Sequence, residues 1–201
     1  MQNLIREDHP LQGQSPYSAT KIGADQLAMS FYKSFGLPVG ILRPFNTYGP
    51  RQSNRAVIPT IINQVLQNKN VLELGAIKPK RDFVFIKDTV NAFILALETE
   101  KIVGEVIHIG TGCEISIHDL AKKIGSILGK NLKINIKKIR QRPSQSEVLR
   151  LIADSTKARR LLQWKPSYCK MVGLENGLIE TVSWFKQNRI VSNKNKNFYS
   201  I

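Results

Sequence analysis

From Val39 onward, short apolar runs of strand length alternate with longer amphipathic runs of helix length, which restricts the chain to an α/β architecture. VGILR, Val71–Leu74, DFVFI, VIHI and LKINIKKI read as strands. Helices are predicted over about 56–68, Asp88–Glu98, Ser116–Leu128, about 156–163 and 172–188. In the second of these, Val90, Phe93, Ile94 and Leu97 share one side. An earlier helix starts at Ser15-Pro16, with serine at the N-cap and proline at the first helical position. Its apolar residues Ala24, Leu27, Ala28, Phe31 and Phe35 recur near the helical period, and Gly36 and Pro38 end it. PFNTYGPRQSNR reads as a turn-rich loop, and the polar tail around NKNKN as disordered.

Composition excludes several classes. No apolar run approaches the roughly 20 residues of a spanning helix, and MQNLIREDHP has no apolar signal core. Cys113 and Cys169 lie far apart, and the three histidines are scattered. Neither a disulfide framework nor a metal site is expected, and a reduced, cytoplasmic protein is. The formal net charge is +15, and residues 115–201 hold 18 of the 30 basic side chains against 5 of the 15 acidic ones. Such a surface attracts nucleic acid, a diphosphate, or water alone. KNLKINIKKIRQR lacks interleaved aromatics and matches no nucleic-acid reader motif, so nucleic acid is the disfavoured partner. A non-enzymatic basic module contacting RNA or DNA through 115–201 stands as the alternative class.

The strongest local signal is Tyr17 with Lys21 in SPYSATK. Spacing of four on a helix stacks both side chains on one face. A phenol is a poor base at neutral pH, but a neighbouring ammonium favours the phenolate and makes tyrosine a usable proton shuttle. Any amphipathic helix can carry such a pair by chance, so the neighbouring blocks decide its meaning.

Four blocks occur in order: PYSATKIGAD, LRPFNTYGPRQ, KRDFVFIKDTVNAF, and RPSQSEV followed by ADSTKARRLLQWKP. Over about residues 9–185 the chain resembles the NAD-dependent nucleotide-sugar epimerases and dehydratases of the extended short-chain dehydrogenase/reductase superfamily. The resemblance implies the C-terminal part of a Rossmann-type parallel sheet plus a smaller α/β substrate-binding lobe. Residues 1–110 would be the C-terminal portion of the NAD-binding domain interleaved with substrate-lobe segments, 111–190 mainly the nucleotide-sugar lobe, and 191–201 the tail.

The same resemblance implies roles. Tyr17 would be the acid/base; Lys21 would assist it and bind the nicotinamide ribose. Pro44 and Phe45 would border the nicotinamide pocket. Asn46 would donate to the diphosphate, Arg81 and Arg142 would neutralise it, and Glu147 would reach the nucleoside ribose. Arg43 is expected to be an ion-pair partner, Asp82 and Asp88 a turn bond and a helix N-cap, and His108, His118 and Cys113 structural. The implied activity is a nucleotide-sugar 4,6-dehydratase of UDP- or GDP-N-acetylglucosamine type, in a nonulosonic acid or surface polysaccharide pathway. HPLQGQSPYSATKIGAD and RPSQSEVLRLIAD carry that finer likeness. A UDP-glucose-type 4-epimerase is the alternative.

One expected feature is displaced. The family's glycine-rich dinucleotide turn should lie upstream of the tyrosine helix, yet only sixteen residues precede Tyr17. VIHIGTGCEI offers Gly110 and Gly112 after a strand, but Ile115 stands at the third glycine position and the turn follows the catalytic block, so it is rejected. The chain therefore reads as the C-terminal two-thirds of such an enzyme, with poor NAD binding and no activity expected alone. Either a gene truncation or a separate N-terminal half would account for this, and the parent enzyme is expected to be a homodimer.

Overall fold

The computed structural model describes residues 4–67, 71–140, 143 and 147–188. Arg142 and the polar tail lie outside the described residues. Helix α1 spans Pro16–Phe35. The Ser15 hydroxyl accepts the Ser18 amide, the Ser18 hydroxyl accepts the Ser15 amide, and Gly36 closes the helix in the left-handed region at φ 67°. Strand β1 (Ile41–Pro44) follows, then β2 (Asn46–Tyr48), α2 (Val57–Leu66), β3 (Val71–Leu74), β4 (Lys80–Arg81), β5 (Phe83–Phe85) and α3 (Ile86–Leu97). The chain continues through β6 (Val106–Ile109), β7 (Ile115–Ser116), α4 (Ile117–Ile127), β8 (Lys133–Ile136), β9 (Arg150–Leu151), α5 (Thr156–Leu162) and α6 (Lys170–Gln187).

The pairings are mainly parallel. β1 lies beside β6 with Arg43 opposite His108, β2 beside β5, and β3 beside β8; β4 sits between antiparallel β7 and parallel β9. The architecture is mixed α/β, as the alternation of runs requires. Asn46–Tyr48, read as loop from its turn formers, is a strand because β5, far away in sequence, completes its ladder.

Strand β5 separates two apolar clusters. Phe83 and Phe85 enter one with Tyr48, Ile61 and Ile62 of α2, Leu120 and Ile124 of α4, and Leu178 and Val182 of α6. Val84, pointing to the other face of the strand, enters the second with Ala92, Ile107, Ile109, Leu162 and Trp164. Residues from both sides of position 110 contribute to each cluster.

Two helix readings change. In α3 the large residues Val90, Phe93, Ile94 and Leu97 are exposed, while Thr89, Ala92 and Ala96 are buried, because a helix that approaches its neighbours this closely accommodates only small side chains. Asp88 is not the N-cap, which is Phe85. One turn further in, its carboxylate accepts the amides of Ser167 (2.8 Å) and Tyr168 (2.9 Å), tethering the approach to α6. Helix α1 has no buried residue, and Leu27, Phe31 and Phe35 are exposed. Among the described residues no helix is long and apolar enough to cross a membrane.

Candidate functional site

The direction of α1 places the tyrosine. Arg43 Nε on β1 pairs with Asp25 Oδ2 on α1 at 2.7 Å, the structural ion pair expected of Arg43. Nearer the end of α1, the Tyr32 ring packs on Gly104, just before β6, so closely that a Cβ there would lie 2.6 Å from it. The helix therefore runs antiparallel to β1, and its first turns carry Lys21 and Tyr17 past Pro44, the carboxyl end of the strand. That end is where ligands of parallel α/β sheets bind. Lys21 Nζ stands 5.7 Å from the Tyr17 ring centroid, and Tyr17 is 72% exposed. Phe45 continues from Pro44, its amide bonded to the Ile109 carbonyl and its ring edge-on to His108 at 5.3 Å.

His108 belongs to the scaffold. Its ring faces the Ile5 carbonyl at 3.1 Å, its backbone amide donates to Glu7, and burial holds its pKa below the ordinary imidazole value. These contacts, with the bridge of Ile5 to Ala153, fix the segment that leads into α1.

Beyond β1 a cavity of about 1020 Å³ opens between α2, β2, β3, β4 and the turn after β8. Asn46, Arg81 and Glu147, three of the residues singled out from sequence, line it together. Asn46 Nδ2 and its backbone amide both donate to the Asp82 carbonyl, at 2.9 and 3.1 Å, which fixes the side-chain amide. Arg81 Nη2 pairs with Glu147 Oε1 at 3.1 Å, both side chains being mostly buried, and Nη1 donates to the Lys80 carbonyl. Lining residues that sequence reasoning passed over include Gln52, Arg55 and Arg140. Gln52 and Arg55 stand in a stretch whose turn formers mark it only as loop, and Arg140 is one of several cations in the basic run, with no motif to single it out.

The Gly110–Gly112 turn is occupied by the protein itself. Asp82, fully buried, accepts the Thr111 amide and hydroxyl on one carboxylate oxygen (3.0 and 2.6 Å). Its other oxygen takes the amides of Gly112 (2.9 Å) and Ala153 (3.3 Å). The Gly110 amide donates to Ser155 Oγ. Burial pushes the Asp82 carboxyl above its usual range while these donors pull it back. Amides already spent on an internal carboxylate cannot cradle a phosphate, which agrees with rejecting this turn as a dinucleotide site.

Comparison with known proteins agrees with these motifs. A family model described as GDP-mannose 4,6 dehydratase matches residues 1–176. The dTDP-D-glucose 4,6-dehydratase of Dictyostelium discoideum is 48% identical over 113 residues, covering 56% of this chain and 26% of that protein. The NAD complex of dTDP-glucose 4,6-dehydratase from Bacillus anthracis superposes with a TM-score of 0.83 at 31% identity, over 93% of this chain and 57% of that one. UDP-glucuronic acid 4-epimerase from Bacillus cereus, solved with UDP-glucuronic acid and NAD, gives 0.82 at 35% identity over the same shares. The chain thus spans little more than half the length of these proteins, or less.

Proposed function

Because the chain belongs to the GDP-mannose 4,6-dehydratase family, within the NAD-dependent epimerases and dehydratases, we propose that it carries the substrate cavity and the proton-transfer pair of a nucleotide-sugar 4,6-dehydratase. The observation that carries this reading is the convergence of Asn46, Arg81 and Glu147 on one cavity beyond the strand end that α1 approaches with Tyr17 and Lys21. In this reading the diphosphate lies against the Asn46 amide and the Arg81 guanidinium, whose planar fork suits phosphate oxygens. Glu147 holds that fork in place. Arg142 is assigned to the same diphosphate on sequence grounds.

The residues present fit one part of NAD. An exposed tyrosine and lysine on one helical face, with Pro44 and Phe45 at the strand end, suit a nicotinamide ribose and ring. The Gly110–Gly112 turn offers the pyrophosphate no cradle, since its amides are engaged by Asp82 and Ser155. NAD, when bound, supplies the acceptor for the hydride that leaves C4 of the sugar. Tyr17, as the phenolate, takes the proton of the C4 hydroxyl on Oη and becomes a neutral phenol; the Lys21 ammonium stabilises the phenolate charge that precedes the transfer. Asn46 and Arg81 hold the diphosphate and so fix the pyranose against Tyr17.

The finer reading names a UDP- or GDP-N-acetylglucosamine substrate, a nonulosonic acid or surface polysaccharide pathway, and a cytoplasmic protein. It also holds that the working enzyme is a homodimer. A UDP-glucose-type 4-epimerase is the second reading, favoured by the Bacillus cereus epimerase with its 35% identity. Saturation-transfer NMR on the purified chain with UDP-N-acetylglucosamine, GDP-N-acetylglucosamine, dTDP-glucose and UDP-glucuronic acid tests the cavity assignment. Binding of at least one, lost in Arg81→Gln, is expected. Binding of none, or binding indifferent to Arg81, overturns it.

A further inference from the structure

Arg140 lines the cavity from a different wall than Arg81. Arg140 ends the short turn after β8, and that turn is fixed to β3. The Lys137 amide donates to the Leu74 carbonyl at 2.8 Å, the Arg140 amide to the Lys137 carbonyl at 3.0 Å, and Arg140 Nη1 to the Glu73 carbonyl at 3.1 Å. Gly75 makes the approach possible, because a Cβ at that position would lie 2.3 Å from the Arg140 carbonyl oxygen. The Arg140 side chain thus leaves an anchored backbone and reaches the β3 wall, with N–H donors to spare after its bond to Glu73.

The acceptors of that wall are already engaged. Gln64 Oε1 takes the Glu73 amide at 2.8 Å, Gln64 Nε2 donates to the Glu73 carbonyl at 3.1 Å, and the Glu73 carboxylate pairs with Lys137 at 3.2 Å. On the other wall Glu147 is paired with Arg81. Both lining carboxylates therefore have a cation, while among the described residues Arg140 has no carboxylate partner. A wall that offers donors, engaged acceptors and one uncompensated positive charge selects a ligand group that is anionic and accepts hydrogen bonds.

Resting on the nucleotide-sugar reading above, we propose that Arg140 is a further anion-binding residue of the cavity, donating to the nucleotide's diphosphate from the β3 wall while Arg81 donates from β4. Arg140 then adds to the discrimination of a nucleoside diphosphate from the bare nucleoside, from an element other than the one that carries Arg81. A role confined to holding the turn on β3 would not depend on the phosphates of the ligand.

Isothermal titration of the full chain with UDP, dTDP and GDP, and with uridine, thymidine and guanosine, tests this on the wild type, Arg81→Gln and Arg140→Gln. The wild type is expected to bind at least one diphosphate more tightly than its nucleoside. Arg140→Gln should weaken that diphosphate roughly 10- to 100-fold, the effect of losing a charge-assisted bond, and leave the nucleoside within about twofold. The salt dependence of diphosphate binding should also become shallower. Arg140 is exposed, so an unchanged melting temperature accompanies the expected result. Binding of no diphosphate by the wild type would overturn the nucleotide-sugar reading and this inference with it. Diphosphate binding that falls in Arg81→Gln but stays within about twofold in Arg140→Gln would overturn the Arg140 assignment alone. Equal loss of diphosphate and nucleoside in Arg140→Gln would make Arg140 a structural clamp and equally overturn it.

Discussion

Replacing Asp82 by asparagine is the sharpest perturbation of the scaffold that carries the site. The carboxylate takes four donors on two oxygens, two from Thr111 and one each from Gly112 and Ala153. Asparagine keeps one oxygen, which the two Thr111 donors claim because their bonds include the shortest of the four. Its NH2 group then faces the amides of half-buried Gly112 and buried Ala153, leaving two donors opposed by a third. An unsatisfied buried donor costs about 1–3 kcal/mol. Relief from burying a charge offsets part of this, since burial already holds the Asp82 carboxyl above its ordinary range. The expected net loss is roughly 2–4 kcal/mol, a large share of an ordinary domain's stability. Guanidinium unfolding at neutral pH followed by circular dichroism measures it as a lower midpoint with an unchanged slope. A variant within about 0.5 kcal/mol of wild type, the scatter of ordinary surface substitutions, would refute the reasoning that these amides depend on Asp82.

Other consequences can be checked alongside. Gly177→Ala would place a Cβ 2.2 Å from Tyr48 Oη, which is buried and donates to the Leu174 carbonyl. Overpacking of about 1–3 kcal/mol should outweigh the gain of up to about 1 kcal/mol from alanine's helix propensity, so the melting temperature falls. Tyr17→Phe, made in a preparation that turns over a nucleotide sugar, should lower the turnover rate by roughly 10²–10⁴; nucleotide affinity should stay unchanged, because Tyr17 does not line the cavity. His108 is held neutral by burial near Glu7, Arg43 and Lys157. Its contribution is present above the ordinary value of 6.5 and is lost as pH falls toward the depressed folded value, because the unfolded chain takes the proton first. Unfolding midpoints of His108→Gln across that range should show a shallower decline than wild type. In a mobility-shift assay at physiological ionic strength, RNA and duplex DNA should remain unshifted despite the net charge of +15.

What could be read from sequence followed from local rules. Ser15, Pro16 and Gly36 mark α1 because capping chemistry is confined to a few neighbouring residues. β1, β3, β5, β6 and β8 stand near their predicted places because apolar runs between turn formers leave few alternatives. What escaped depends on distant partners. Asn46–Tyr48 becomes a strand only beside β5. The stripe of Val90, Phe93, Ile94 and Leu97 has the period of a buried face, yet alanines make the close contact. At the site, Asn46, Arg81 and Glu147 were selected by motif and meet in one cavity, and Glu147 is found paired with Arg81, a contact across 66 positions that no spacing rule reports. Arg140 was invisible for the same reason, since its place depends on β8 pairing with β3 and on Gly75 admitting the turn.

The most direct measurement is a crystal structure of the chain grown with a nucleotide sugar that it binds. The account predicts the diphosphate between the Asn46 amide and the Arg81 guanidinium, with the pyranose directed toward Pro44 and Tyr17. A ligand bound outside the cavity, or one inside it with the pyranose turned away from Tyr17, would contradict the account.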